Sequence, residues 1–340
     1  MNIIQKSFRA LCKGEFFSRL YLHFFLVRKG YKIFNILVPF IKKKNKILCD
    51  NFVGKGYGDN PKYIVEEFHR QMPDFEIIFL VEKNTDLSLF PDYVRTVRIY
   101  SLRHLYEMAS SKFWIFNYRK AVHINKKHGQ FYIQTWHGNI GPKKCERSAE
   151  KTLDTFYLHN AKEDSTQIDV CISGSSHLTN VYKNDFWYSG EILESGYPRA
   201  DILFDALAAC RIKKEMGVEG KRICMYAPTF RNSHSLDSYC LNYSTLKNAL
   251  EEKLGGEWIV FLRLHPNMAN VELKSLPEYI KNVSPFPDVQ ELLAAADCLI
   301  TDYSSIIYEF MLTKRPAFIF ATDLQAENCS STSDFRAPEM

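Results

Sequence analysis

DVQELLAAADCLITDYSSIIYEFMLTKRPAFIFATD, residues 288–323, decides the fold. A helical repeat over 288–296 gives way to a short apolar run, 297–301 (DCLIT). Thr301-Asp302-Tyr303-Ser304-Ser305 closes that run and opens a helix over 304–312, and a second run, 316–320 (PAFIF), follows. Two short β-rich runs joined through a helix are the sequence form of a βαβ unit, whose strands lie parallel.

The same alternation extends towards the N-terminus. Runs at 222–226 (RICMY) and 257–262 (EWIVFL), with a helix over 244–254, complete one half. Runs at 46–49, 76–81, 112–116, 130–135 and 168–172 make another. The expected fold class is α/β, in two Rossmann-like halves that divide near 200–212, after the turn Gly196-Tyr197-Pro198. The expected domains are a basic arm over 1–45, a first lobe over 46–205 and a second over 206–340. Open α/β sheets take ligands outside the carboxyl ends of their strands.

The bulk numbers agree with a folded chain of two domains. It has 340 residues, 46% hydrophobic and 24% charged. The net charge of +5 is unevenly held: residues 1–48 carry eleven Lys or Arg and one acid, Glu15. The body is therefore slightly acidic, which argues against a nucleic-acid partner. Phe8, Leu11, Phe16, Phe17, Leu20, Phe24 and Phe25 fall near helical spacing among the cations. Such an arm either lies on an anionic membrane surface or packs on the protein's own body; the one-sided charge favours lipid. The nine Cys are scattered with no CxxC pair, as expected of reduced thiols in a cytosolic compartment.

Four strand-end motifs carry chemistry. Thr135-Trp136-His137-Gly138 supplies an imidazole that takes a proton near neutral pH and a glycine that lets the backbone approach a ligand, with Lys143 close behind. A histidine bonded to a strand-end carbonyl is the plainer reading of the same residues. Tyr226-Ala227-Pro228-Thr229-Phe230-Arg231 offers a hydroxyl and a guanidinium suited to oxyanions, or a proline turn with a solvated Arg. In Leu262-Arg263-Leu264-His265-Pro266, Arg263 and His265 share one face of an extended segment, suiting a diphosphate. Thr301, Asp302, Ser304 and Ser305 open a helix, as an anion site or as ordinary caps, and Glu309 follows within reach of a ribose. The chain lacks GxxxxGK followed by Ser or Thr, GxGxxG and GxSxG, against a P-loop kinase, a dinucleotide dehydrogenase and a standard α/β hydrolase.

These motifs, in this order, resemble the CDP-glycerol glycerophosphotransferase family of teichoic-acid and capsule polymerases. The resemblance runs from about Asn51 to Asp323. It takes in GYGDNPKYI at 56–64, QTWHGNIGPKK at 134–144, ISGSSHLTNVY at 172–182, FWYSGEILESGYPRADIL at 186–203, YAPTFR, LRLHP and the block at 288–323. It implies a GT-B-like fold with a cleft between lobes. It also implies transfer of glycerol phosphate or ribitol phosphate from CDP-glycerol or CDP-ribitol to a lipid-linked polymer acceptor, at the cytoplasmic face of a bacterial membrane, with release of CMP.

By the same resemblance, His137 is the base, while Arg263 and His265 hold and neutralise the diphosphate. Arg199, Thr229 and Arg231 line the donor site. Thr301, Asp302, Ser304 and Ser305 grip phosphate and polyol, and Asp288 and Glu309 lie near the nucleotide. No cofactor is implied, and a homo-oligomer is compatible. A nucleotide-sugar glycosyltransferase on the same fold is the rival enzyme. After Asp323 the family continues with an Arg-rich stretch and a final helical segment, whereas this chain reads LQAENCSSTSDFRAPEM. That departure implies a shortened member with reduced or no activity. Asn139-Ile140-Gly141, where many members carry Thr-Pro-Leu, suits a capsule-type branch.

Overall fold

The structure is a computed structural model that describes residues 30–138, 144–229, 241–264 and 276–321. The expectations for the arm before residue 30, for Lys143, Arg231 and His265, and for the chain after 321 lie outside the described residues.

Twelve described strands form two sheets. The first contains β1 (Lys44–Asp50), β2 (Glu76–Val81), β3 (Val94–Arg98), β4 (Ser111–Phe116), β5 (Phe131–Gln134), β6 (Val170–Ser173) and β7 (Glu191–Glu194), in the order β3-β2-β1-β4-β5-β6-β7. The second contains β8 (Arg222–Ala227), β9 (Trp258–Leu262), β10 (Ile280–Asn282), β11 (Cys298–Thr301) and β12 (Ala317–Ile319), in the order β10-β9-β8-β11-β12. Every pairing is parallel. The interior runs are apolar without alternation because both faces are covered: Ile77 to Leu80 and Cys224 to Tyr226 are all buried.

Helical residues 30–37 form α1. The other described helices are α2 (Asp59–Gln71), α3 (Leu102–Ser110), α4 (Thr155–Ser165), α5 (Ser176–Asp185), α6 (Ala206–Glu215), α7 (Tyr243–Leu254), α8 (Val289–Ala295) and α9 (Ile306–Phe310). Their starts follow from side-chain acceptors: Ser101, Asp154, Ser175, Asp205, Asn242 and Asp288 each cap a helix. The helix expected over 304–312 is shorter, α9 followed by a 3-10 turn over Met311–Thr313.

Both sheets reverse their strand order once, between β1 and β4 and between β8 and β11. In doubly wound sheets the binding crevice opens at that reversal. The two reversals therefore say where a site belongs.

Candidate functional site

At the reversal of the first sheet, the loop leaving β1 is strained. Phe52, Val53 and Asp59 have φ of 46°, 62° and 57°, and Gly54 and Gly56 have φ of 91° and 121°. A β-branched residue at positive φ is a true outlier and marks a constrained site. Gly54 is required, since a Cβ there would fall 2.9 Å from the Glu82 nitrogen. The loop is tied to β4: Phe52 N–H donates to Asn117 Oδ1 at 2.9 Å, and Asn117 Nδ2 donates to Asn51 Oδ1 at 2.8 Å.

His137 meets this assembly directly. Its Nδ1 lies 2.8 Å from the Asn117 carbonyl oxygen. A carbonyl only accepts, so Nδ1 carries the proton and Nε2 of the neutral ring keeps its lone pair. Phe52 and Trp136 pack on the ring, with centroids at 4.9 and 4.3 Å. Burial pushes the His137 pKa down, Arg199 adds to that, and the Asn117 carbonyl and Asp59 oppose it. The net depression keeps the imidazole neutral at pH 7. The carbonyl-bonded histidine and the base-competent histidine are one arrangement.

Asp50 sits beneath the same loop, accepting from Gly54 N–H at 2.8 Å. Burial pushes its pKa up to about 7, against hydrogen bonds from Gly54 and Val53. A carboxyl raised above its unfolded value near 4 favours folding most at low pH. That contribution falls away as pH rises through about 7, by at most about 4 kcal/mol. Asp50→Asn keeps an acceptor for Gly54 and removes the ionisation. It is expected to raise the melting temperature more at pH 8.5 than at pH 5, read by circular dichroism. An equal change at both pH values would show that Asp50 does not titrate in this window.

At the reversal of the second sheet the strand ends are closed on one another. Thr301 Oγ1 donates to the Ala227 carbonyl at 2.6 Å and is fully buried. Asp302 Oδ1 accepts from Thr229 N–H at 2.9 Å and from Tyr303 N–H at 2.6 Å. These bonds join β8 to β11 and set the loop that carries Ser304 and Ser305. Ser305 precedes α9 without a side-chain capping bond, and Ser304 and Ser305 are both half-buried. Arg263 Nη1 donates to the carbonyls of Val283 and Phe286 at 3.1 and 2.7 Å. Burial lowers the Arg263 pKa to about 10, with Asp288 opposing, so the guanidinium stays charged at neutral pH.

Three further expected residues have partners within the protein. Arg199 is buried, with Nη1 donating to Asp59 and Nη2 to Glu309. Glu309 is 1% exposed, and its other oxygen accepts from Gln290 Nε2 at 2.6 Å. Asp288 caps α8 and accepts from Lys62 Nζ at 2.8 Å and from the Tyr63 hydroxyl at 2.9 Å. It faces a cavity of about 770 Å³. Six carboxylates among the described lining residues, Glu66, Asp201 and Glu215 included, outnumber Lys62 and Arg211 there. Such a lining repels a diphosphate.

Gly138 has φ of 123°, and a Cβ on it would strike Arg199 Nη2 and fall 3.0 Å from Glu309 Oε1. The His137 loop is therefore seated against α9, which begins just after Ser304 and Ser305. Asn60 is a participant that motif reading missed. Its Nδ2 donates to the Trp136 carbonyl at 3.2 Å, and its Oδ1 accepts from Arg199 N–H at 3.2 Å.

Comparison with known proteins places this geometry. The family model described as CDP-Glycerol:Poly(glycerophosphate) glycerophosphotransferase matches residues 31–330. The teichoic acid poly(glycerol phosphate) polymerase of Staphylococcus epidermidis is 33% identical over 297 residues, which are 83% of this chain and 41% of that protein. The chain thus spans less than half the length of that relative. The teichoic acid glycerol-phosphate transferase of Staphylococcus aureus is 31% identical over 86% of this chain and 78% of its own length. The teichoic acid ribitol-phosphate polymerase TarL of the same organism is 35% identical over 90% of this chain and 55% of its own. Among solved structures, the wall teichoic acid polymerase TagF superposes with a TM-score of 0.73 at 28% identity, over 92% of this chain and 79% of that one. A variant of TagF soaked with CDPG matches with the same TM-score at 27% identity, over 90% and 78%.

Proposed function

The chain belongs to the CDP-glycerol:poly(glycerophosphate) glycerophosphotransferase family, and on that footing we propose that it transfers glycerol phosphate or ribitol phosphate from a CDP-polyol to a hydroxyl of a lipid-linked teichoic-acid or capsule polymer, releasing CMP. The observation that carries the reading is the His137 tautomer: a neutral imidazole with Nδ1–H held by a carbonyl, at a strand-order reversal and seated against α9.

The acceptor oxygen attacks the β-phosphorus of the CDP-polyol. The bond from that phosphorus to the bridging oxygen breaks, CMP leaves with the electron pair, and the hydroxyl proton passes to His137 Nε2. Phosphoryl transfer needs positioning and charge neutralisation more than covalent help. Arg263, with His265, Lys143 and Arg231, is the cationic set assigned to the diphosphate. Ser304, Ser305 and Thr229 are assigned to phosphate and polyol. The two sheets are taken as the lobes of a GT-B-like cleft, with the first lobe over 46–205 and the second over 206–340.

The reading is tested by product release with a lipid-linked polyol-phosphate acceptor. CMP release with CDP-glycerol or CDP-ribitol is the expected result. UDP release from a UDP-sugar would move the protein to the glycosyltransferases, and donor binding without turnover would make it a non-catalytic member.

A membrane-facing arm over 1–45 completes the proposal, and puts the reaction at the cytoplasmic face of the membrane. No helix among the described residues is long and apolar enough to cross a bilayer. Ile33, Ile36 and Phe40 are 64%, 69% and 83% exposed beside the exposed Lys32, Lys42 and Lys43. An apolar face flanked by cations suits an anionic lipid surface. Replacing Ile33, Ile36 and Phe40 with Asp is expected to cut co-sedimentation with phosphatidylglycerol vesicles several-fold, by adding charge and removing apolar area. Undiminished binding would detach this patch from the membrane.

A further inference from the structure

We propose that Arg199 is a positioning residue: ion-paired to Asp59 and Glu309 beneath Gly138, it joins the His137 peptide to the helix that follows Ser304 and Ser305, so that the second sheet aims the imidazole. The inference rests on His137 being the base.

Three distant parts of the chain meet at this guanidinium. Asp59 opens α2 and Glu309 lies in α9, 140 and 110 residues from Arg199 in sequence. The side chain is 9% exposed, and the two carboxylates take its two Nη groups. A planar fork fixed at both prongs has one orientation. In that orientation Nη2 fills the space where a Cβ of Gly138 would lie.

The residue's backbone serves the same peptide. Arg199 N–H donates to Asn60, whose amide donates to the Trp136 carbonyl. The segment Trp136-His137-Gly138 is thus held on either side of the imidazole by groups that depend on Arg199. Gln290 fixes Glu309 from below through its Nε2 at 2.6 Å. A simple tie between the sheets exists elsewhere: Lys62 Nζ lies 2.8 Å from both Asp288 and Glu291. That tie does not touch the His137 loop.

The charges facing His137 among the described residues are Asp59 and Arg199, with Glu309 behind Arg199; the Tyr118 ring packs on it at 5.8 Å. Arg199 lowers the His137 pKa and Asp59 raises it. Removing each therefore shifts the titration in opposite directions, which a merely structural role does not require.

The test uses the full chain with carbon-13-labelled histidine, His137 being assigned by its loss in His137→Ala. Arg199→Gln is expected to raise the apparent pKa of His137 and Asp59→Asn to lower it, while Lys62→Gln leaves it in place. In the transfer assay both of the first two variants are expected to lose about tenfold or more in kcat, with KM for the CDP-polyol held within about threefold. If Arg199→Gln does not fold, Arg199→Lys is used instead: one ammonium cannot hold both carboxylates in the fork geometry, so kcat falls while a charge remains. Unmoved titrations in folded Arg199→Gln and Asp59→Asn, or wild-type kcat in Arg199→Lys, overturn the positioning role. The titration needs no turnover. A wild-type protein that releases no CMP therefore sinks the transferase reading separately.

Discussion

His137→Ala is expected to lower polyol-phosphate transfer by about 10²–10⁴-fold, the range for a general base, with the melting temperature within a few degrees of wild type. The loss should fall on kcat, because in the proposed mechanism the imidazole takes the acceptor proton. The fold should survive for a physical reason. His137 lies past the end of β5 and is half-buried, while the first sheet is held by residues such as Trp114, Tyr132 and Ile78. Truncation leaves the Asn117 carbonyl without its donor, a cost of about 1 kcal/mol. Because burial depresses the pKa, the free base persists below the ordinary histidine value. The acid limb of kcat/KM should therefore lie below pH 6.5, and should vanish in the variant if any activity remains. Wild-type turnover in a folded His137→Ala would remove the imidazole from the chemistry.

Strands that are apolar throughout were legible in the sequence, because parallel strands covered on both faces leave a run no polar position. Nine of the described strands were placed that way, with boundaries that agree to within two residues. The three that escaped lie at sheet edges. VRTVR of β3 and EILE of β7 are half polar because one side meets solvent, and β10 is three residues long.

The site divides along a similar line. Strand-end motifs mark where chemistry sits, but an acid or hydroxyl in such a motif reads alike whether it binds a ligand or a neighbouring loop. Thr301, Asp302 and Glu309 proved to be bonded within the protein, and only tertiary geometry separates the two uses. Asn60 and Asn117 were missed because an isolated amide carries no pattern. Their importance lies in joining segments 76 and 66 residues apart. One signal was available for the β1 loop: NFVGKGYGDN, with three glycines in ten residues before a helix, asks for left-handed backbone, and the structure supplies it at Gly54 and Gly56.

Gly138→Ala is expected to lower transfer by about 10²-fold, the scale set by displacing a reacting group by about 1 Å, and to destabilise the fold by about 1–3 kcal/mol of backbone strain. Two effects add. At φ of 123° an L side chain is disfavoured in any surroundings. The new methyl also lands on Arg199 Nη2 and within 3.0 Å of Glu309 Oε1, and neither can yield. Arg199 is held by two carboxylates and Glu309 is 1% exposed. The cheaper response is for the peptide to lift away and carry the adjacent imidazole with it. Gly220→Ala separates the two effects: its φ is 79°, and nothing lies within 4 Å of its Cβ position. That variant should lose stability alone, with kcat unchanged, whereas Gly138→Ala should lose both. If the two alanine variants behaved alike, the close packing of the His137 loop on Arg199 and Glu309 would have no bearing on turnover, and the imidazole would need some other restraint.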